Sequence, residues 1–305
     1  MNQDLKDKRI NEVITLFTSG MVEECVVKVQ ELISLYYDNE PFLFNLLGVA
    51  HATQGEFKSA ISSYKTALSL EPNYYEVYNN MGVAYNDWKK PDLALSHLKK
   101  AIEINPQYSE AFNNIGNSYK QKLELSSAIQ NYKKAIEINP TYVDALCNLG
   151  ICLAIEKNYK EAKIVYEKAY SLDPGRIDIK IGYANIFLKL NETAIARKLF
   201  QEVIELNSNS AEALNGLGLC DIEKNELDQA ELHFKNAVEI DNKYVEAQNN
   251  YGMVLMRKNK FSDAIDVLKI AIEMNKDYLP CYSNLGKCYL DMGRLDYARK
   301  TFLDG

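Results

Sequence analysis

The sequence is poor in the residues on which catalysis and metal binding most often rest. Three histidines, His51, His97 and His233, serve 305 residues. Each stands apart, with no Cys or carboxylate at metal-ligand spacing, so neither catalysis nor metal binding is expected of them. Cysteine is scarce too: Cys25, Cys147, Cys152, Cys220, Cys281 and Cys288. No C-x-x-C pair occurs, and the spacings 147–152 and 281–288 match no zinc pattern. No GxxxxGK[ST] loop is present, and Gly216-x-Gly218 lacks a third glycine and a preceding strand. The chain reads as no enzyme, with no metal and no cofactor.

Basic blocks and long apolar runs are missing as well. The net charge is −7 and the pI about 5.2. Clustered Lys and Arg are what neutralise phosphates, so no nucleic-acid partner is expected. No apolar run approaches the roughly 18–20 residues of a membrane helix, so no membrane insertion is expected. The stretch Met1–Arg9 lacks the apolar core of a signal peptide, which points to a reducing cytoplasm. The lone sequon Asn191-Glu192-Thr193 then has no use. Alternating Lys and Glu, as in Lys99, Lys100 and Glu103, read as a solvated helix face.

What is present is a period. Gly48, Gly82, Gly116 and Gly150 recur 34 apart, and the count continues to Ala184, Gly218, Gly252 and Gly286. Twelve residues beyond each stand Ala60, Ala94, Ala128, Ala162, Ala196, Ala230, Ala264 and Ala298. Seven further on lie Ala67, Ala101, Ala135, Ala169, Val203, Ala237 and Ala271. Pro72, Pro106, Pro140 and Pro174 close the early units. Tyr78, Met81 and Tyr85 form one apolar stripe at helical spacing, and Ala94, Leu98, Ala101 and Ile104 form another. Small residues on facing stripes let two helix axes approach closely. Each unit is therefore a helix pair whose uncovered face only the next pair can bury. Cys152, Cys220 and Cys288 share the register of Ala50, Ala84 and Ser118 and read as small buried residues.

These units resemble tetratricopeptide repeats. The resemblance rests on Tyr78, Met81, Gly82, Tyr85, Ala94, Leu98, Ala101 and Pro106. The next unit supplies Phe112, Ile115, Gly116, Tyr119, Ala128, Tyr132, Ala135 and Pro140. It implies an all-α, right-handed superhelical solenoid of about nine helix-turn-helix repeats. Residues 1–40 hold a degenerate unit around Gly20, Val22, Cys25, Val29 and Leu32. Residues 41–305 hold eight in-phase repeats, the last incomplete, starting near 41, 75, 109, 143, 177, 211, 245 and 279.

The resemblance also implies that the first helix of each repeat lines a concave groove. Its sixth position carries Asn80, Asn114, Asn148, Asn250 and Asn284, and its fifth Asn45, Asn79, Asn113, Asn215 and Asn249. An amide both donates and accepts, so such a ladder can grip an extended backbone or bond between neighbouring repeats. It is similar to the ladder of O-linked N-acetylglucosamine transferases, which implies recognition of extended protein segments. The peptide-groove reading predicts that alanine at Asn79, Asn80, Asn113 and Asn114 weakens peptide capture without lowering the melting temperature.

The second position is acidic at Glu76, Glu110, Asp144, Asp178, Glu212 and Glu246. These suit either a helix N-terminus or a basic or neutral ligand. They also argue against the Lys-Asn-Arg clamp of tetratricopeptide repeats that hold chaperone tails. Ninth and twelfth positions turn apolar late in the chain, at Leu188, Leu219, Ile222, Met253, Met256 and Leu290. They are expected to face the groove rather than the core. Gly182 and Gly216 interrupt the ladder and predict a softer joint over 177–216.

The reading is a binding module for a protein or peptide partner. Its rivals are the recognition arm of a larger glycosyltransferase or sulfotransferase, and an oligomerising scaffold. No polar capping helix follows Phe302-Leu303-Asp304-Gly305, which leaves an end open to a second copy of the chain or to further sequence.

Overall fold

A computed structural model describes residues 3–35 and 38–305. The described residues are all-α. Eighteen helices make nine hairpins, the number expected from the period. The first hairpin is α1 (Gln3–Thr18) and α2 (Val22–Leu35). Then come α3 (Pro41–Thr53) with α4 (Phe57–Leu70), α5 (Tyr75–Asp87) with α6 (Pro91–Ile104), and α7 (Ser109–Gln121) with α8 (Leu125–Ile138). Next are α9 (Val143–Ile155), α10 (Tyr159–Leu172), α11 (Ile177–Lys189) and α12 (Thr193–Leu206). The chain finishes with α13 (Ala211–Glu223), α14 (Leu227–Ile240), α15 (Val245–Arg257), α16 (Phe261–Met274), α17 (Leu279–Asp291) and α18 (Leu295–Asp304). It divides into two compact units, residues 1–156 and 157–305.

Within a hairpin the tight turn is made by one residue in the left-handed region. Lys89 (φ 59°), Leu123 (φ 61°) and Asn225 (φ 59°) are examples. Lys90 N–H then reaches Tyr85 O at 2.8 Å while Lys89 N–H bonds Asn86 O at 3.0 Å, the paired bonds that close a helix C-terminus. Between hairpins an Asx turn does similar work. Asn105 Oδ1 accepts from Gln107 N–H at 3.1 Å, and Asn139 accepts from Thr141 N–H at 3.1 Å. Asn207, Asp241 and Asn275 repeat it where no proline follows, at 3.1, 2.9 and 3.0 Å. The loop therefore keeps its shape after the prolines run out.

The core is built from glycine facing bulk. A Cβ on Gly82 would strike Leu98, on Gly116 Tyr132, on Gly218 Phe234 and on Gly252 Leu268. The alanines of the second helices, from Ala60 to Ala264, are fully buried beside these contacts. All six cysteines are buried and free.

In each unit the first helices also touch their counterparts in the next hairpin: α3 with α5, α5 with α7 and α7 with α9, then α11 with α13, α13 with α15 and α15 with α17. This closer spacing makes the first helices the inner layer of each unit, and their exposed face carries the candidate site.

Candidate functional site

The inner layer is tied together by amides. Asn80 Nδ2 donates to Asn45 Oδ1 at 3.0 Å, Asn114 to Asn79 at 2.9 Å, and Asn148 to Asn113 at 3.1 Å. In the second unit Asn250 donates to Asn215 at 2.9 Å and Asn284 to Asn249 at 2.8 Å. Every pair joins a sixth-position asparagine to the fifth-position asparagine of the repeat before it. Four of the five accepting residues are deep: Asn79 is 5% and Asn113 4% exposed, and Asn215 and Asn249 are buried too, while Asn45 is half-buried. The donors are half-buried and keep their second N–H.

A tyrosine closes the far side of the acceptors. Asn215 Nδ2 donates to Tyr244 Oη at 3.4 Å. Tyr74 and Tyr142 meet Asn45 and Asn113 in the same way. Burial, with the carboxylates of Asp144 and Glu110 nearby, pushes the Tyr142 phenol up to about 12. The fifth-position amides are thus consumed between repeats. This corrects the expectation that alanine there leaves the melting temperature untouched, because each asparagine carries an inter-repeat bond.

Glu76, Glu110, Asp144, Asp178, Glu212 and Glu246 all lie in the first turns of their helices, where a negative charge meets the positive end of the helix. Asp178 is also held by Arg176 at 2.8 Å.

The late apolar row faces differently from expectation. Met256 is buried in a cluster with Leu255, Leu268 and Leu285. Leu219 and Ile222 are half-buried against Ala230, Phe234 and Val254. Leu188 and Met253 are half-buried, and Leu290 alone of the row is exposed. Leu219, Ile222 and Met256 thus pack into the core of the second unit, against both their own second helices and the next first helix. They form no exposed strip.

Gly182 and Gly216 are filled rather than empty. A Cβ on Gly182 would meet Tyr166, and one on Gly216 would meet Phe200, both rings from the preceding second helix. At Gly48, Gly116, Gly218 and Gly286 the corresponding ring lies against the eighth-position glycine of its own repeat. In the repeat of Phe200 that position is Ala184, and the ring lies against Gly216 of the next repeat. The space an asparagine would occupy is taken by an aromatic ring.

Sequence spacing gave no sign of several polar contacts. Lys120 Nζ donates to Asn148 Oδ1 at 3.1 Å, and Tyr132 Oη donates to Asn117 Oδ1 at 2.8 Å. Ser118 Oγ donates to Asn86 Oδ1 at 2.8 Å. Asp221 is fully buried where other repeats place Tyr85, Leu153 or Leu255, and it binds Arg197 at 2.6 Å and His233 at 2.6 Å. His51 meets Glu56 at 2.9 Å, while His97 stacks between Tyr78 and Tyr85. Two histidines therefore do find carboxylates within hydrogen-bond distance. Among the described residues no group of three or more His, Cys, Asp or Glu is placed to hold a metal ion.

The second unit carries charged pairs across successive repeats. Lys163 binds Glu192 at 2.8 Å, Arg197 binds Asp221, and Glu231 binds Lys258 and Lys260. The same position in the first unit is apolar and buried, at Ile61, Leu95 and Ile129.

Family comparisons agree with this architecture. Tetratricopeptide repeat profiles match residues 75–108, 109–142, 131–164 and 153–215, and a TPR repeat profile matches 43–87. Together they span more than half of the chain. It belongs to the tetratricopeptide repeat family. No curated protein matches the sequence.

Solved tetratricopeptide structures share the fold at low identity. A chain of the APC/C hetero-tetramer Cut9–Hcn1 is 16% identical with a TM-score of 0.66, over 91% of this chain and 55% of that one. The present chain thus spans about half the length of that protein. Pseudomonas aeruginosa PilF is 19% identical with a TM-score of 0.62, over 69% of this chain and 96% of its own. A tetratricopeptide repeat protein of Parabacteroides merdae is 20% identical with a TM-score of 0.59, over 82% of this chain and 98% of its own. Among the described residues no helix is long and apolar enough to cross a membrane.

Proposed function

We propose that this chain is a protein-interaction module that holds extended protein segments against the amide row of its first helices. The observation that carries the proposal is the half-used state of the sixth-position asparagines. Asn80, Asn114 and Asn148 each spend one N–H on the preceding repeat and keep another. Fixed by that first bond, they need no reordering to offer the second, which lowers the entropy cost of binding. From Asn80 to Asn148 the donors recur once per repeat, so they suit a repeating ligand such as an extended backbone.

The test places a photo-crosslinking residue at Val83 or Ile151, the ninth positions of α5 and α9, and at Lys99 or Gln130 on second helices. Capture of protein segments from Val83 and Ile151, and not from Lys99 or Gln130, is expected. Equal capture from both layers, or none from the first helices, overturns the reading.

A further inference from the structure

Lys120 is the one cation at the twelfth position of the first helices. At its position, the twelfth, other repeats carry Ala52, Asn86, Ala154, Leu188, Ile222, Met256 and Leu290. Lys120 is half-buried, and its ammonium is bound only to the amide oxygen of Asn148, at 3.1 Å. Among the described residues every other lysine that is buried or half-buried has a carboxylate partner. Lys6 pairs with Glu40, Lys28 with Glu31, Lys134 with Glu137, Lys163 with Glu192, Lys180 with Glu202 and Lys258 with Asp228. Partly burying a charge without a counter-charge is costly, so the exception calls for an explanation.

The neighbours of Lys120 add donors and not acceptors. Asn148 Oδ1 already accepts from Lys120, and Asn117 Oδ1 accepts from Tyr132. Asn114 Oδ1 faces Asn117 Nδ2 at 3.5 Å. One N–H remains on each of Asn114, Asn117 and Asn148, and two on Lys120. The acidic first turns do not neutralise the cluster. Glu110 lies ten residues before Lys120 on the same helix, about 15 Å along the axis, beyond the roughly 8 Å screening length of physiological salt.

We propose that Lys120, with the remaining amide N–H groups of Asn114, Asn117 and Asn148, forms a subsite for one acidic side chain of the extended segment, a carboxylate or a phosphate. This rests on the extended-segment reading above and names the chemistry that one step of the row selects. An oxyanion there supplies the missing counter-charge and accepts from donors already held in place by their bonds to the neighbouring repeat.

A display library of random nine-residue peptides, selected on the full chain and in parallel on Lys120→Met, tests it. Peptides selected by the native chain are expected to carry Asp or Glu at one fixed position. Changing that residue to Gln weakens binding about tenfold, as befits loss of a hydrogen bond to a charged group. Lys120→Met loses the discrimination and Lys120→Arg retains it, both with the native melting temperature. Phosphoserine at the same position separates the two sources: tighter binding assigns the subsite to phosphate, weaker binding to carboxylate. Peptides selected without an acidic requirement, or one that survives Lys120→Met, overturn the subsite and leave the extended-segment reading standing. Failure to select any peptide overturns both.

Discussion

Asn114 donates to Asn79 at 2.9 Å across a repeat boundary, and Asn79 is 5% exposed. The bond pins one first helix to the next at a fixed height. An inter-repeat bond of this kind is worth about 1 kcal/mol net, and a buried partner left unpaired costs about 1–3 kcal/mol. Asn114→Ala, which leaves the buried Asn79 oxygen unpaired, is therefore expected to destabilise the array more than Asn79→Ala, which leaves a half-buried N–H that water can reach. A double-mutant cycle on the urea midpoint should show coupling of at least about 0.5 kcal/mol. Additive single effects would contradict the bond.

Gly216 has a neighbour that decides its substitution. Alanine there gains about 1 kcal/mol of helix propensity, but its Cβ would strike the Phe200 ring, which is fully buried. Overpacking costs about 1–3 kcal/mol, so Gly216→Ala is expected to destabilise. Phe200→Leu in the Gly216→Ala background should recover part of the loss in thermal unfolding. A stabilising Gly216→Ala would mean the ring moves away freely.

The Lys180–Glu202 pair sets an acid limit on the second unit. The Lys180 ammonium, through its hydrogen bond, holds the Glu202 carboxyl below its ordinary value of 4.5. The unfolded chain then takes up a proton before the folded one does. Stability from the pair is complete above pH 4.5 and is lost as pH falls through the lower folded value. Glu202→Gln is expected to flatten the melting temperature between about pH 5 and 3 relative to the native chain. An unchanged slope would remove the pair from the account.

Leu123 occupies the left-handed turn between α7 and α8 at φ 61° and is 84% exposed. A branched side chain in that conformation costs about 1–2 kcal/mol, against about 0.5–1 kcal/mol for the extra freedom of glycine in the unfolded chain. Leu123→Gly is expected to raise stability by about 0.5–1 kcal/mol, and calorimetry would show a higher melting temperature. A loss would show that Leu123 has packing partners worth more than its backbone strain.

The hairpins were legible because glycine, alanine and bulk recur with the period of the fold. Gly82 and Leu98 can be matched from spacing alone, since both sit on stripes that must face each other. The amides were legible only as a row. Whether Asn113 turns toward a ligand or toward Asn148 depends on the distance between α7 and α9, which lies outside any single repeat. Met256 was misread because it is buried in a cluster that joins Leu268 of its own hairpin to Leu285 of the next. Lys120 and Asp221 each occur once at their positions, so a reading built on recurrence passes over them.

The charged pairs of the second unit make the order of its repeats matter. Arg197 looks to Asp221, whereas Glu231, one repeat later at the same position, looks to Lys258 and Lys260. Removing residues 211–244 would keep the period and the glycine contacts, yet it would bring Arg197 opposite Lys258 and Lys260. The modules share a shape but not an address. This half of the chain is a sentence whose words cannot be deleted or exchanged without a clash of sign.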